Sequence, residues 1–240
     1  MAVRLPVFAR VTVFDTAGTS RGHVRAWSWD DICFNSALEI ATPTTLGVTT
    51  LRAKRDTRVE NAAVRTGQLV TTRLPDRAAL SHAVAAVRKT RARGLVFFRF
   101  PDSTDPSGWS LRQLGHLESA PQLSLKISPG RGTIELVNNS DADLAFSATD
   151  GGRGYALQIE APAAIFRDAA AGDFWRVAGY AEGRAVPIPL ATRLTFWFSH
   201  LRAHEALRTG TIRLAPAANF SEARWRILNF APQSQWQLLP

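Results

Sequence analysis

Residues 68–100 hold the strongest local pattern in this sequence, because they predict two kinds of element in a fixed order. A β-prone run over residues 68–74 leads to Asp76, whose side chain can accept a backbone hydrogen bond as a helix N-cap. Apolar residues then recur at helical spacing, and an apolar run over 95–100 follows. The apolar helix positions are Leu80, Val84 and Val87. A strand, a helix and a strand at this spacing predict a βαβ unit, in which the two strands are parallel in one sheet.

From Pro121 onward the pattern changes to short alternating strands. Apolar residues alternate with polar ones over residues 123–127, and the proline and glycines of residues 128–132 indicate a turn. Further β-prone runs cover residues 156–160, 193–199, 211–214 and 224–228. We therefore predict an α+β fold, with an α/β, partial-barrel-like domain over 1–120 and an all-β, sandwich-like domain over 121–240.

Two shorter signals add local detail. Turn-forming residues over 15–20 separate two stretches of alternating residues, so an opening β-hairpin is predicted within residues 4–27. Ser110 and Gln113 match the S-x-x-Q capping box, which predicts that a short helix begins there.

The net charge of the chain is +9, and arginine supplies nearly all of the positive charge. There are 26 Arg against 3 Lys, and they are spread along the whole sequence. The densest group, within residues 88–93, follows the predicted helix, where cations complement the negative end of the helix dipole. Because local stability accounts for this group, polyanion binding through arginine is the third hypothesis, and a nucleic-acid partner is not expected.

The composition predicts a folded chain that needs neither oxidation nor a membrane. Apolar residues make up 45% of the chain and charged residues 20%, as in ordinary globular domains. Cys33 is the only cysteine, so no intrachain disulfide can form, and its apolar neighbours predict a buried, unreactive thiol. No apolar run approaches the ~20 residues that span a bilayer, and no secretory leader is evident. On these grounds we expect a cytoplasmic location for the chain as given.

Motifs for cofactors and metals are incomplete. The glycine clusters at residues 130–132 and 151–154 match neither the phosphate-binding loop nor the dinucleotide fingerprint, so we interpret both as turns. His200 and His204 have a spacing that could hold zinc on a helix, but the H-E-x-x-H motif and a third ligand are missing. We therefore predict no cofactor and no metal site.

The loop over residues 101–109 is the first candidate site. It leaves the C-terminal end of the predicted parallel strand, where α/β folds place their chemistry. Its two carboxylates, Asp102 and Asp105, are the predicted catalytic pair, since glycoside hydrolysis uses two such groups. Arg99 and Trp109 flank the loop as predicted substrate-binding residues. The alternative is that both aspartates cap turns, as aspartate commonly does in loops.

Trp27, Trp29 and Asp30 form the second candidate site. Aromatic rings beside carboxylates suit sugars, because a flat ring covers the apolar face of a pyranose. If the segment is a strand, Trp27 and Trp29 point to the same face, where they could bind a substrate. That face could equally belong to the core.

The run GLVFFRFPD at residues 94–102, continued by DPSGWSL at 105–111, resembles a bacterial family that is known only as a domain of unknown function. Longer members of that family look like a TIM-type barrel half similar to glycoside hydrolases, followed by a β-rich C-terminal part. FDTAG at residues 14–18 and FSHLR at 198–202 are similar to the pattern more loosely. The resemblance implies that this chain matches the later part, with the early barrel strands missing or located in a separate chain.

Three hypotheses about function follow. The first is a carbohydrate-related protein, for which glycan binding is favoured over glycoside hydrolysis, so that enzymatic activity of this chain alone is left open. The second is a non-enzymatic interaction module that a partner chain completes, and the third is polyanion binding. An open sheet edge with exposed apolar residues beside residues 68–100 would favour the partner. A contiguous arginine face would favour polyanions.

Overall fold

The computed structural model describes residues 2–25, 27–98, 107–128, 132–161, 163–216, 218–220 and 222–240. Within this part of the chain, 46% of the residues lie in strands and 13% in helices. The chain forms two compact units, each made of two sequence segments. Unit 1 comprises Met1–Ala120 and Asp141–Arg153, and unit 2 comprises Pro121–Ser140 and Gly154–Pro240.

Strands dominate the order of elements along the chain. The first half contains β1 (Ala2–Pro6), β2 (Arg10–Phe14), β3 (Ser20–His23), α1 (Trp29–Phe34), β4 (Leu38–Thr45), β5 (Val48–Ala53), β6 (Thr57–Val59), β7 (Ala62–Val64), β8 (Leu69–Arg73), α2 (Arg77–Arg88), β9 (Gly94–Phe98) and α3 (Leu111–Gly115). The second half contains β10 (Leu123–Ser128), β11 (Thr133–Asn138), β12 (Ala148–Thr149), β13 (Gly152–Arg153), β14 (Tyr155–Glu160), β15 (Phe166–Ala169), β16 (Arg176–Ala181), β17 (Arg184–Val186), β18 (Arg193–Phe198), β19 (Ala206–Arg208), β20 (Ile212–Leu214), β21 (Arg224–Leu228) and β22 (Gln237–Leu238). Among the described residues, short 3-10 helices lie at Ile188–Leu190 and Ala231–Gln233.

Unit 1 is built on a five-stranded antiparallel sheet with the order β3-β2-β8-β5-β4. β2 and β3 form the hairpin predicted near the start of the chain. Three two-stranded sheets accompany the larger one: the parallel pair β1–β9 and the antiparallel pairs β6–β7 and β12–β13.

The predicted α+β class with a βαβ, partial-barrel-like unit is wrong, because β8 and β9 lie in different sheets. β8 lies between β2 and β5 and is antiparallel to both, so neither of its edges is free for β9. β9 pairs instead with β1, from the start of the chain. The local patterns predicted the positions of β8, α2 and β9 correctly, but they did not predict which strands pair with β8 and β9. The chain is mostly β, with several antiparallel sheets.

Local chemistry explains where the helices begin. The Asp76 carboxylate accepts a hydrogen bond from the backbone N–H of Ala79 at 2.7 Å, and α2 follows directly. The Ser110 hydroxyl accepts one from the backbone N–H of Gln113 at 3.1 Å, and α3 follows. Both N-caps are therefore confirmed. The reciprocal half of the capping box is not formed, because the backbone N–H of Ser110 donates to the Asp143 carboxylate.

The core of unit 1 draws on both of its sequence segments. Alternate residues of the five-stranded sheet are buried, among them Val11, Leu51 and Val70, each 0% exposed. Trp29 of α1 packs into this cluster, and so does Phe146 from the second segment. The second segment is therefore an integral part of the unit 1 core rather than a linker.

Unit 2 is built on a six-stranded antiparallel sheet with the order β17-β16-β18-β14-β21-β22. One side of this sheet is apolar and forms the core, with fully buried residues Leu157, Ile159, Leu194, Phe196 and Ile227. The pair β10–β11 matches the predicted alternation, and β19 extends it to three strands. Most of the predicted turn at residues 128–132 lies outside the described residues. β15 and β20 form a further pair.

In the described part of the chain, the longest helix is Arg77–Arg88, and no helix is long and apolar enough to cross a membrane.

Candidate functional site

The first predicted site falls largely outside the described residues. Arg99, Asp102 and Asp105 lie outside the described residues, so their roles stay predictions. Trp109 is described, and it is buried, with 4% of its surface exposed. Its indole Nε1–H donates to the carbonyl oxygen of Pro75 at 2.8 Å. In this arrangement the ring supports the unit 1 core and offers no open face to a sugar.

The second predicted site surrounds the start of α1. Trp27 and Trp29 do not alternate along a strand, because the Ser28 side chain caps a helix that begins at Trp29. The ring of Trp29 is 3% exposed and stacks on Phe146, with 4.8 Å between the ring centroids. Trp27 is half-buried and meets Trp29 edge to face at 4.7 Å, and Asp30 lies in the first helical turn. Trp27 is thus the more accessible of these two rings.

Two carboxyl groups of unit 1 share a hydrogen bond next to this segment. Burial raises the pKa of Asp31, but hydrogen bonds from Ser28 and Glu60 more than offset it, so its pKa lies below the ordinary value. The hydrogen bond to Asp31 and the charge of Asp31 raise the pKa of Glu60. Of the two groups, Glu60 is therefore the one that takes up a proton first as the pH falls, and Asp31 accepts the hydrogen bond.

We expect Glu60→Gln to flatten the pH dependence of stability. Because the folded-state pKa of Glu60 is raised, its contribution is fully present below the ordinary glutamate pKa and is lost as the pH rises through the folded value. The contribution of Asp31 has the opposite sense and is lost only as the pH falls through its lowered pKa. The glutamine amide keeps a donor for Asp31 at every pH. Urea unfolding from mildly acidic to neutral pH tests this, and parallel profiles of wild type and variant would contradict it.

Cys33 lies in α1 beside the side chain of Arg153. Burial raises the pKa of the Cys33 thiol, so the thiol stays protonated near neutral pH, as a structural residue does. The guanidinium group of Arg153 donates to the carbonyl oxygens of Ile32 at 3.0 Å and Asn35 at 2.9 Å. It thereby satisfies carbonyl groups at the end of α1, so this cluster stabilises the fold.

The most distinctive surface lies on the outward side of the six-stranded sheet in unit 2. Every second residue of a strand points to this side, and the strand register aligns these residues in three rows across β16, β18, β14 and β21. The first row is Tyr180, Arg193, Glu160 and Arg224. The second row is Ala178, Thr195, Gln158 and Arg226. The third row is Arg176, Trp197, Ala156 and Leu228. We call these rows, together with the ring of Trp236, the Arg–aromatic face.

Aromatic rings hold the arginines of this face in place. The guanidinium carbon of Arg176 lies 4.1 Å from the ring centroid of Trp197. That of Arg226 lies 4.4 Å from the ring centroid of Trp236. Such cation–π contacts fix the plane of each guanidinium group while leaving its edge N–H groups available. The face therefore presents oriented hydrogen-bond donors beside flat apolar rings.

A polar network runs through the middle of the face. The Nε–H of Arg226 donates to the side-chain oxygen of Gln158 at 2.9 Å, and the Gln158 amide donates to the Thr195 hydroxyl at 3.3 Å. Gln158 is 6% exposed and Thr195 2%. Arg224 forms an ion pair with Glu160 at 2.9 Å. The network gives the sheet surface a defined shape, because each of these side chains is held by a neighbour.

The sequence interpretation missed this face, although part of its signal was present. Residues 193–198 and 224–228 alternate arginine or aromatic residues with apolar ones, which places Arg193 with Trp197, and Arg224 with Arg226, on one side of their strands. Nothing in the sequence indicates that these strands are neighbours, because β14 lies between β18 and β21 in the sheet but precedes both in the chain.

Two observations bear on the other predictions. The pair β1–β9 is a two-stranded sheet on which Val96 is 45% and Phe98 51% exposed, a feature that the partner-completion hypothesis calls for. That hypothesis stays a prediction.

His200, one of the two histidines considered for zinc, shares a hydrogen bond with the Ser199 hydroxyl at 2.9 Å. Among the described residues, no three His, Cys, Asp or Glu side chains are grouped as metal ligands would be.

The fold and the face together define a mostly β protein of two units, with an arginine-rich, aromatic sheet surface in unit 2. No protein-family model, curated protein or solved structure matches the chain.

Proposed function

We propose that this chain binds glycans, without turning them over, through the Arg–aromatic face of unit 2. The observation that carries the proposal is the presence of Tyr180, Trp197 and several arginines on one outward side of a single sheet. Aromatic rings cover the apolar faces of sugar rings, and oriented guanidinium groups donate to sugar hydroxyls.

The dimensions of the face suit an extended ligand. Neighbouring strands lie about 4.8 Å apart, so a row from Tyr180 on β16 to Arg224 on β21 spans roughly 14 Å. The row carries a ring at one end, arginines on β18 and β21 and a carboxylate on β14, which supports an oligosaccharide as ligand in preference to a single sugar.

Binding without hydrolysis follows from the carboxylates of this face. Hydrolysis of a glycosidic bond calls for two carboxyl groups, one of them protonated to serve as the acid. Glu160 is the carboxylate within the three rows, and it is held in an ion pair with Arg224. Since the rows hold this one carboxylate, they lack the pair of carboxyl groups that hydrolysis calls for, and the face is suited to binding.

Isothermal titration of the purified chain with a panel of neutral and acidic polysaccharides tests the proposal. We expect Trp197→Leu to weaken binding about tenfold, because it removes the ring and frees Arg176. Trp175→Leu is the matched control: Trp175 is 50% exposed, lies in the bend before β16 and belongs to none of the three rows. We expect its affinity to change less than about twofold.

Two results would contradict glycan binding at this face. One is a folded wild-type chain that binds no polysaccharide of the panel. The other is an equal loss of affinity in both tryptophan variants, which would place the ligand elsewhere. Circular dichroism of each variant shows that the strand content is unchanged.

A further inference from the structure

We infer that the glycan bound at the Arg–aromatic face is anionic, and that Arg193 and Arg226 receive its carboxylate or sulfate group. This inference rests on the proposed function and names the class of ligand for the same surface. It is drawn from the balance of charges on the face and from the surroundings of these two arginines.

The face carries more positive charge than its own acid can neutralise. Its three rows contain four arginines, Arg176, Arg193, Arg224 and Arg226, against the single carboxylate Glu160. Arg224 already forms the ion pair with Glu160. Three cations thus remain on one side of a single sheet, and neutral hydroxyls alone would leave their charge uncompensated.

Arg193 and Arg226 stand on either side of β14. Arg193 is opposite Glu160 in the register and Arg226 is opposite Gln158, so the two lie on the same side of the sheet, two strands apart. Burial and the positive charge of Arg193 lower the pKa of Arg226, while Glu160 raises it. The two guanidinium groups therefore repel each other across β14, and an anion placed between them would relieve that repulsion.

Arg193 also has bonding capacity to spare. Its Nε is buried and has no hydrogen-bond partner among the described residues. The guanidinium group packs near the ring of Tyr180, with 5.5 Å from its carbon to the ring centroid. The terminal N–H groups of an arginine held beside a ring in this way are suited to a planar or tetrahedral oxyanion.

The neighbouring cavity of about 440 Å³ is not where the anion is expected. Glu160 and Glu222 both line it, with Arg224. Two carboxylates there would repel an acidic group, so the anion belongs on the side of Arg193 and Arg226.

Pairs of polysaccharides that differ only in charge test the inference. The probes are polygalacturonate against its methyl ester, and dextran sulfate against dextran, each titrated calorimetrically at fixed ionic strength. For wild type we expect the charged member of at least one pair to bind roughly tenfold tighter or more. The two pairs separate carboxylate from sulfate recognition. Polyphosphate is titrated as an anion without sugar.

Arginine variants then locate the preference. Arg193→Gln and Arg226→Gln should each bring the ratio of charged to neutral affinity close to one. Arg184→Gln is the matched control, since it removes the same charge from β17 of the same sheet, and alternation from Ala185 opposite Tyr180 places it on the other side. We expect this control to keep the wild-type ratio.

Each outcome bears on one of the two proposals. Equal binding of charged and neutral glycans would overturn the anionic class and leave glycan binding standing. Binding of no glycan at all would overturn the proposed function, and equal, arginine-dependent binding of polyphosphate would replace a glycan by a general polyanion. A charge preference that survives in both Arg193→Gln and Arg226→Gln would overturn the assignment to this pair.

Discussion

Replacing Gly47 with alanine is expected to destabilise unit 1 by more than about 3 kcal/mol, since backbone strain and steric overlap act together at this position. Leu46 and Gly47 form the two-residue turn between β4 and β5, with φ values of 50° and 76°. A Cβ on Gly47 would lie 1.7 Å from the carbonyl oxygen of Leu74. The backbone N–H of Leu74 also donates to the Gly47 carbonyl at 2.8 Å, so the overlap cannot be relieved without breaking that bond.

Gly18→Ala separates the two causes. Gly18 has a φ of 82°, close to that of Gly47, but an added Cβ would meet nothing within 4 Å. It should therefore lose only the strain of a left-handed alanine, about 1 kcal/mol. Urea unfolding, with hydrogen exchange of the β4 and β5 amides, measures both variants. Equal losses at the two glycines would show that the approach of Leu74 to Gly47 is not as close as described.

Phe146→Ala is expected to cost unit 1 about 3–5 kcal/mol, because it opens a cavity against Trp29. Phe146 is 7% exposed, and its ring is stacked on that of Trp29 with 14° between the ring planes. Both residues belong to one buried cluster, although they are far apart in sequence. Denaturant unfolding gives the free energy, and near-ultraviolet circular dichroism reports the loss of the ordered tryptophan.

Phe146→Leu serves as the comparison for this site. It retains most of the apolar volume and loses the ring stack, so we expect a smaller cost, below about 1.5 kcal/mol. If Phe146→Ala is as stable as wild type, residues 141–153 do not contribute to the core of unit 1 and its composition as described here is wrong.

Local elements could be predicted from the sequence because their signals involve neighbouring residues. Asp76 and Ser110 cap helices through backbone groups three residues away, and those contacts need nothing from the rest of the chain. The strands β10 and β11 are likewise indicated by alternation within each of them. Pairing between distant strands has no such local signal.

The error over β8 shows this limit in physical terms. Its sequence, LVTTR, alternates buried and partly exposed residues, as an antiparallel strand with one covered side does. A strand buried in a parallel sheet is apolar throughout. The apolar run of β9 suggested parallel pairing, and the prediction extended it to β8 because α2 lies between them. The parallel partner of β9 is instead β1, which lies at the start of the sequence.

The candidate face was harder to predict than the fold, because it depends on strand order and register together. Arginine spread along a sequence indicates no particular surface. The arginines form a common surface only because β16, β18, β14 and β21 align so that Arg193 and Arg226 lie on one side of the sheet. By contrast, Trp29 and Trp109 were predicted to bind a substrate, and their rings are buried in the core.

The interleaving of the two units has a consequence for synthesis on the ribosome. Unit 1 is incomplete until residues 141–153 have emerged, since they supply Phe146 to its core and Arg153 to the end of α1. By then β10 and β11 have already left the ribosome, while β19, which pairs with β11, is still to follow. Nascent chains shorter than 153 residues thus lack part of unit 1, so unit 1 can be completed only after the first segment of unit 2 has been made.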